Sequence, residues 1–117
     1  MAQNKRKVIL MAQKRIPKSI TAQIRNYART LRQDNLPISR MVLFGSYAKG
    51  TQRRYSDIDL CVISSRFRDS FEALQYLWRK KGREHINIEP VGFSPKDFRE
   101  GSSLINEIKR TGIRIKM

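Results

Sequence analysis

Cysteine and histidine are almost missing from this chain: Cys61 and His85 are the only ones in 117 residues. A single cysteine excludes an internal disulfide framework and an all-cysteine metal site. Its place within an apolar run makes it a small buried apolar residue by default. A lone histidine beside a strand is structural more often than catalytic, and no partner stands at a metal-ligand spacing from it. No apolar stretch approaches membrane-spanning length. Val8 to Ala12 is too short for the apolar region of a signal peptide, and the polar Gln13-Lys14-Arg15 follows at once. The composition therefore points to a cytoplasmic protein with no membrane partner. There is no internal repeat, no low-complexity linker, and no recognition-helix, zinc-finger or RNA-binding aromatic motif.

Acidic residues are also scarce, 10 against 25 lysines and arginines, for a formal net charge of +15. That balance favours an anionic partner such as nucleic acid, a nucleotide or an acidic protein surface. The basic residues are spread along the chain, so a solvated surface and a dedicated nucleic-acid face both stay open. Residues 1–17 form a basic N-terminal arm closed by Pro17. Within it, Val8 to Ala12 reads as one helical turn or a short strand. Residues 18–117 form one domain with a small core.

The domain is organised around two short apolar runs. Arg40 to Phe44 reads as a buried strand that stops at Gly45 and Ser46. Gly45 permits a sharp turn and a close backbone approach by a ligand. Ser46 is expected to cap a short helix, Tyr47 to Lys49, whose free N–H groups suit phosphate oxygens. The second run, Ile58 to Ile63, is entered through Asp57 and contains Asp59. On a strand that spacing puts both carboxylates on one face and Ile58 and Leu60 on the other. Carboxylates so close repel each other unless a cation sits between them, and magnesium accepts a few carboxylates and fills its other positions with water and phosphate. The pair thus reads as a metal and nucleoside-triphosphate site. Lys49, Arg53 and Arg54, between its two halves, are candidate phosphate contacts, although a solvated loop explains any one of them equally well.

Around these runs the spacing predicts an amphipathic helix from Lys18 to Asp34, with Ile20, Ile24, Tyr27, Ala28 and Leu31 inward. A second helix, capped by Asp69 or Ser70 and ending at Lys81, is expected to bury Phe71, Leu74, Leu77 and Trp78. His85 to Val91 reads as a third strand, with Ile86 and Ile88 on one face and Asn87, Glu89 and Val91 on the other. Ser94-Pro95 starts a short helix anchored by Phe98. Ser102 or Ser103 caps a last helix through Arg110, with Leu104, Ile105 and Ile108 inward, and Ile113 and Ile115 belong to a closing strand. The fold class is α/β: two layers, a small mixed sheet with helices packed on one face, and the site on the open one.

Gly45-Ser46 followed by Asp57-Ile58-Asp59-Leu60 resembles the DNA polymerase beta-like nucleotidyltransferase superfamily, and in its shortness the antitoxin-type minimal nucleotidyltransferase (MNT) family. The resemblance runs from Ile20 to the C-terminus. It implies an enzyme that transfers a nucleoside monophosphate, AMP from ATP, to an acceptor hydroxyl with release of pyrophosphate. It implies two magnesium ions held by Asp57, Asp59 and a third carboxylate on the neighbouring strand. Glu89 matches that third position, one methylene longer than the usual aspartate, and would also help deprotonate the acceptor. Gly45 and Ser46 would hold the triphosphate. The family resemblance further implies that the acceptor is a tyrosine of a helical HEPN-type toxin, the chain acting as antitoxin in a hetero-oligomer, with a homo-oligomer also open. Two rivals remain at this stage: a non-catalytic antitoxin that neutralises its partner by contact, and a basic protein that binds or modifies nucleic acid.

Overall fold

The computed structural model describes residues 16–117. The arm expected over residues 1–17, with its Val8 to Ala12 segment, lies outside the described residues except for Ile16 and Pro17. Ile16 is buried in the core.

Helix α1 (Lys18–Gln33) leads into β1 (Arg40–Phe44), the single-turn α2 (Ser46–Lys49) and β2 (Ile58–Ile63). Next come α3 (Ser70–Lys81), β3 (Ile88–Phe93), α4 (Pro95–Glu100), α5 (Ser103–Thr111) and the two-residue β4 (Ile113–Arg114). The strands make one mixed sheet in the order β3-β2-β1-β4. β2 runs antiparallel to β1 and parallel to β3, and β4 is antiparallel to β1. This is the expected two-layer α/β arrangement.

Strand alternation divides the apolar residues between the two faces. Met41, Leu43, Ile58, Leu60, Val62 and Ile88 join α1 and α3 in the main core. Along α1, Ile20, Ile24, Tyr27, Ala28 and Leu31 are all buried, as their spacing predicts. The Tyr27 hydroxyl donates to Leu77 O at 2.7 Å and ties α1 to α3. Burial pushes its pKa well up. His85 packs against the Tyr27 ring and places Nε2 2.9 Å from Thr30 Oγ1. It is buried in this role as a structural residue.

The opposite face carries Val42, Cys61, Ile63 and Phe93, covered by Phe98, Ile105 and Ile108 of the short helices α4 and α5. Burial raises the Cys61 thiol pKa to about 12. The two long helices thus pack on one face, while α4 and α5 cover only part of the other and leave its acidic end open.

The expected helix caps are present at Asp69, Ser94 and Ser102, each accepting from a backbone N–H three residues on. Four local expectations are overturned. The buried face of α3 is Ala73, Leu77 and Lys81, whereas Phe71 (69% exposed), Leu74 and Trp78 lie toward solvent. The reason is Gly92 of β3: a Cβ there would sit 2.8 Å from Leu77 Cδ1 and 2.9 Å from Ala73 Cβ. The helix descends onto the strand through small and aliphatic residues, which turns the aromatics outward.

The third strand begins three residues later than expected and runs to Phe93. His85 to Asn87 form a turn in which Ile88 N–H donates to His85 O, and Ile86 is exposed. Leu104 is also partly exposed, outside the α5 core face of Ile105 and Ile108. Finally, Gly45 and not Ser46 occupies the cap position of α2, and no side chain caps that helix.

Candidate active site

The site is built where β1 ends and β2 begins. Gly45 has φ +72°, a left-handed conformation that admits glycine and few other residues. A Cβ at this position would overlap the Asp59 carboxylate. The glycine is therefore needed for more than a turn: its missing side chain is the space that Asp59 fills. Ser46 then enters α2, where its carbonyl accepts from Thr51 N–H and its hydroxyl is left without a capping role.

Asp59 is directly opposite Phe44 on β1 and Glu89 on β3. All three sit on the partly open face, in phase with Cys61 and Val91. Asp57 precedes β2 by one residue and shares this face by the same alternation. Burial first, and the Asp57 charge second, raise the Asp59 pKa. Glu89 is raised too, by burial, by a hydrogen bond with Asp57 and by the charges of Asp57 and Asp59, with Lys81 opposing. The structure thus brings together Gly45, Asp57, Asp59 and Glu89.

The three basic candidates are not gathered there. Lys49 Nζ pairs with Glu107 Oε1 of α5 at 3.2 Å. Arg53 and Arg54 are exposed in the loop before β2, Arg54 lying over the Tyr55 ring.

Hard oxygen donors of this kind suit magnesium. As the side chains stand, no group of three His, Cys, Asp or Glu among the described residues is arranged to hold an ion. The donor set fits a divalent ion in chemistry and in face, with Asp57, Asp59 and Glu89 as the residues that would hold it.

Sequence reasoning missed Lys81. Its ammonium is buried beside β3, donating to Ile88 O at 2.7 Å and to Ile86 O at 3.3 Å. A lysine at the end of a helix gives no sign of this, because a favourable interaction with the helix terminus is the ordinary explanation.

The family model for the nucleotidyltransferase domain matches residues 23–115. The chain belongs to that family. This nucleotidyltransferase domain is 36% identical over 69 residues to MJ1305 of Methanocaldococcus jannaschii, provisionally named a protein adenylyltransferase; the match covers 50% of this chain and 43% of the relative. It is 50% identical over 36 residues to the protein adenylyltransferase MntA of Shewanella oneidensis, covering 30% of this chain and 26% of the relative. The matched segments span less than half the length of these curated relatives. A crystal structure of a toxin-antitoxin with AMP-PNP is similar at TM-score 0.54 and 28% identity, over 80% of this chain and 70% of that one. A structure from Sulfolobus solfataricus, provisionally named a nucleotidyltransferase, shares the fold at TM-score 0.50 and 16% identity, over 92% and 83% of the two chains. No described helix is long and apolar enough to cross a membrane.

Proposed function

We propose that this nucleotidyltransferase domain transfers AMP from ATP to a hydroxyl group on a protein partner, as the antitoxin of a toxin–antitoxin pair. The observation that carries the proposal is the registry of Asp59 with Glu89, beside Asp57 and beneath Gly45, in a chain of this family. Its similarity to a toxin-antitoxin structure holding AMP-PNP and to the two adenylyltransferases supports ATP as donor and a protein as acceptor.

Asp57, Asp59 and Glu89 would hold two magnesium ions. When bound, these supply positive charge at the attacking and leaving oxygens of an in-line displacement. The backbone at Gly45 and the Ser46 hydroxyl hold the triphosphate. Glu89, opposite Asp59 on the neighbouring strand, would also help take the acceptor proton. The acceptor oxygen bonds to the α-phosphorus, the bond from that phosphorus to pyrophosphate breaks, and pyrophosphate leaves. Arg53 and Arg54 screen its charge from the exposed loop. Lys49 joins them only by exchanging its partner Glu107. A tyrosine of a HEPN-type toxin is the acceptor that this reading favours.

The experiment is incubation with labelled ATP, magnesium and the product of the adjacent gene. Label on that partner, lost with Asp57→Ala and with Asp59→Ala, is the expected result. Label that persists in both variants overturns the assignment of the acids. No label with the unaltered protein overturns catalysis in favour of an antitoxin acting by contact.

One observation favours a second role. Arg25, Arg29 and Arg32 of α1 line a shallow surface groove with Met117. Nucleic-acid binding there predicts an affinity that falls steeply with salt and weakens on replacing these arginines.

A further inference from the structure

Among the described residues Glu89 stands on an edge strand, with β2 on one side of its backbone and no strand on the other. In the parallel pairing with β2, Asn87 O accepts from Ile58 N–H and Phe93 O from Ser64 N–H. By alternation the main-chain groups of Ile88 and Pro90 point away from the sheet. These are the residues flanking Glu89, and α3 holds both of their carbonyls. Lys81 Nζ donates to Ile88 O at 2.7 Å, and Trp78 Nε1 donates to Pro90 O at 3.1 Å. The Lys81 ammonium also lies 3.8 Å from the centre of the Trp78 ring, so the two donors brace each other. Ile88 N–H is satisfied by His85 O, and Pro90 has no N–H to offer. No outward-facing backbone group beside Glu89 is left free to shift.

We propose that Trp78 and Lys81 are positioning residues which grip the strand on either side of Glu89 and so hold its carboxylate facing Asp57 and Asp59. The inference rests on the acid-site reading given above. A buried ammonium is costly to desolvate, and here carbonyls and a ring face offset that cost. The arrangement also protects the sheet edge from pairing with another strand. Edge protection alone would make Trp78 and Lys81 matter for solubility and stability, but not for what Glu89 binds.

The test is titration of the full chain with Mn2+ as the probe ion, read by the resonance signal of free Mn2+, with a thermal melt of each variant alongside. Glu89→Gln is expected to weaken binding. Trp78→Phe, which keeps the ring and removes the N–H, is expected to weaken it about tenfold, the low end of what partners of metal-binding side chains contribute. Lys81→Met is expected to do at least as much. In the Glu89→Gln background, Trp78→Phe should add nothing, since there is no carboxylate left to position. Unchanged Mn2+ affinity in Trp78→Phe overturns the grip, as does an equal loss with and without Glu89. Unchanged affinity in Glu89→Gln overturns the acid-site reading and the grip with it. Should Lys81→Met fail to fold, the Trp78→Phe cycle decides alone.

Discussion

The two faces of β2 are made by the same six residues and serve opposite ends. Ile58, Leu60 and Val62 point into a core closed by two long helices, and all three are fully buried. One residue out of phase, Asp59, Cys61 and Ile63 point to a face that α4 and α5 cover only at the Cys61 and Ile63 end. The same backbone thus supports a packed interior and a half-open acidic cleft, less than 4 Å of rise apart per residue. The lesson is that this domain separates stability from chemistry by strand phase and not by distance along the chain. Substitutions on the two faces should therefore fail in different ways.

The largest expected effect is on the acidic side. Asp59→Asn should lower labelling of the partner by on the order of a thousandfold, about 4 kcal/mol in the barrier. Its stability should move the other way. The folded-state pKa of Asp59 is raised, so its charged form costs stability above the unfolded pKa, and that cost disappears as pH falls through the folded value. Removing the charge should raise the melting temperature at neutral pH in the absence of metal. A lowered melting temperature would mean that the two faces are not separable in this way.

On the closed face the same strand should give the reverse result. Leu60→Ala removes a fully buried side chain and should cost about 3 kcal/mol in urea unfolding. The fraction that remains folded should keep its Mn2+ affinity.

Gly45→Ala is expected to cross the divide. A side chain at φ +72°, ψ −150° costs about 1–3 kcal/mol, and its Cβ would displace the Asp59 carboxylate. Denaturant midpoint and metal affinity should fall together, unlike in either of the preceding variants.

The smallest effect lies far from both faces. Asp34 is held below its ordinary pKa of 3.8, first by the Tyr76 hydroxyl, then by Lys80 and Arg66. Its contribution is present above the unfolded pKa and is lost as pH falls through the folded one. Tyr76→Phe should therefore lower stability slightly at neutral pH and flatten its fall on the acid side, the variant and the unaltered protein converging once pH is below the folded pKa of Asp34.

Much of this division is readable in the sequence. A period of two through Asp57-Ile58-Asp59-Leu60 is enough to separate acids from core, and the inward face of α1 follows from its spacing alone. The caps at Asp69, Ser94 and Ser102 are local chemistry and are equally visible. What the sequence hides depends on distant partners. Phe71 and Trp78 read as core because they are large and apolar, yet the face that packs is chosen by Gly92 on another strand. Lys49 reads as a phosphate ligand, while its observed partner Glu107 is 58 residues away. Glu89 could be placed on a strand from its neighbours, but its pairing opposite Asp59 needed the family resemblance and then the sheet register. The grip of Trp78 and Lys81 on its flanks has no signature in spacing at all.

The position of Cys61 has a practical consequence. Its thiol is sealed between the sheet and α4–α5 and carries a pKa of about 12, so neither oxidants nor alkylating reagents reach a reactive thiolate in the folded chain. Because it is the sole cysteine, each modification reports one event, the exposure of that buried layer, whether α4 and α5 lift from the sheet or the whole domain opens. The protein therefore carries its own chemical clock for the opening of the layer beside its acids, with no label to install.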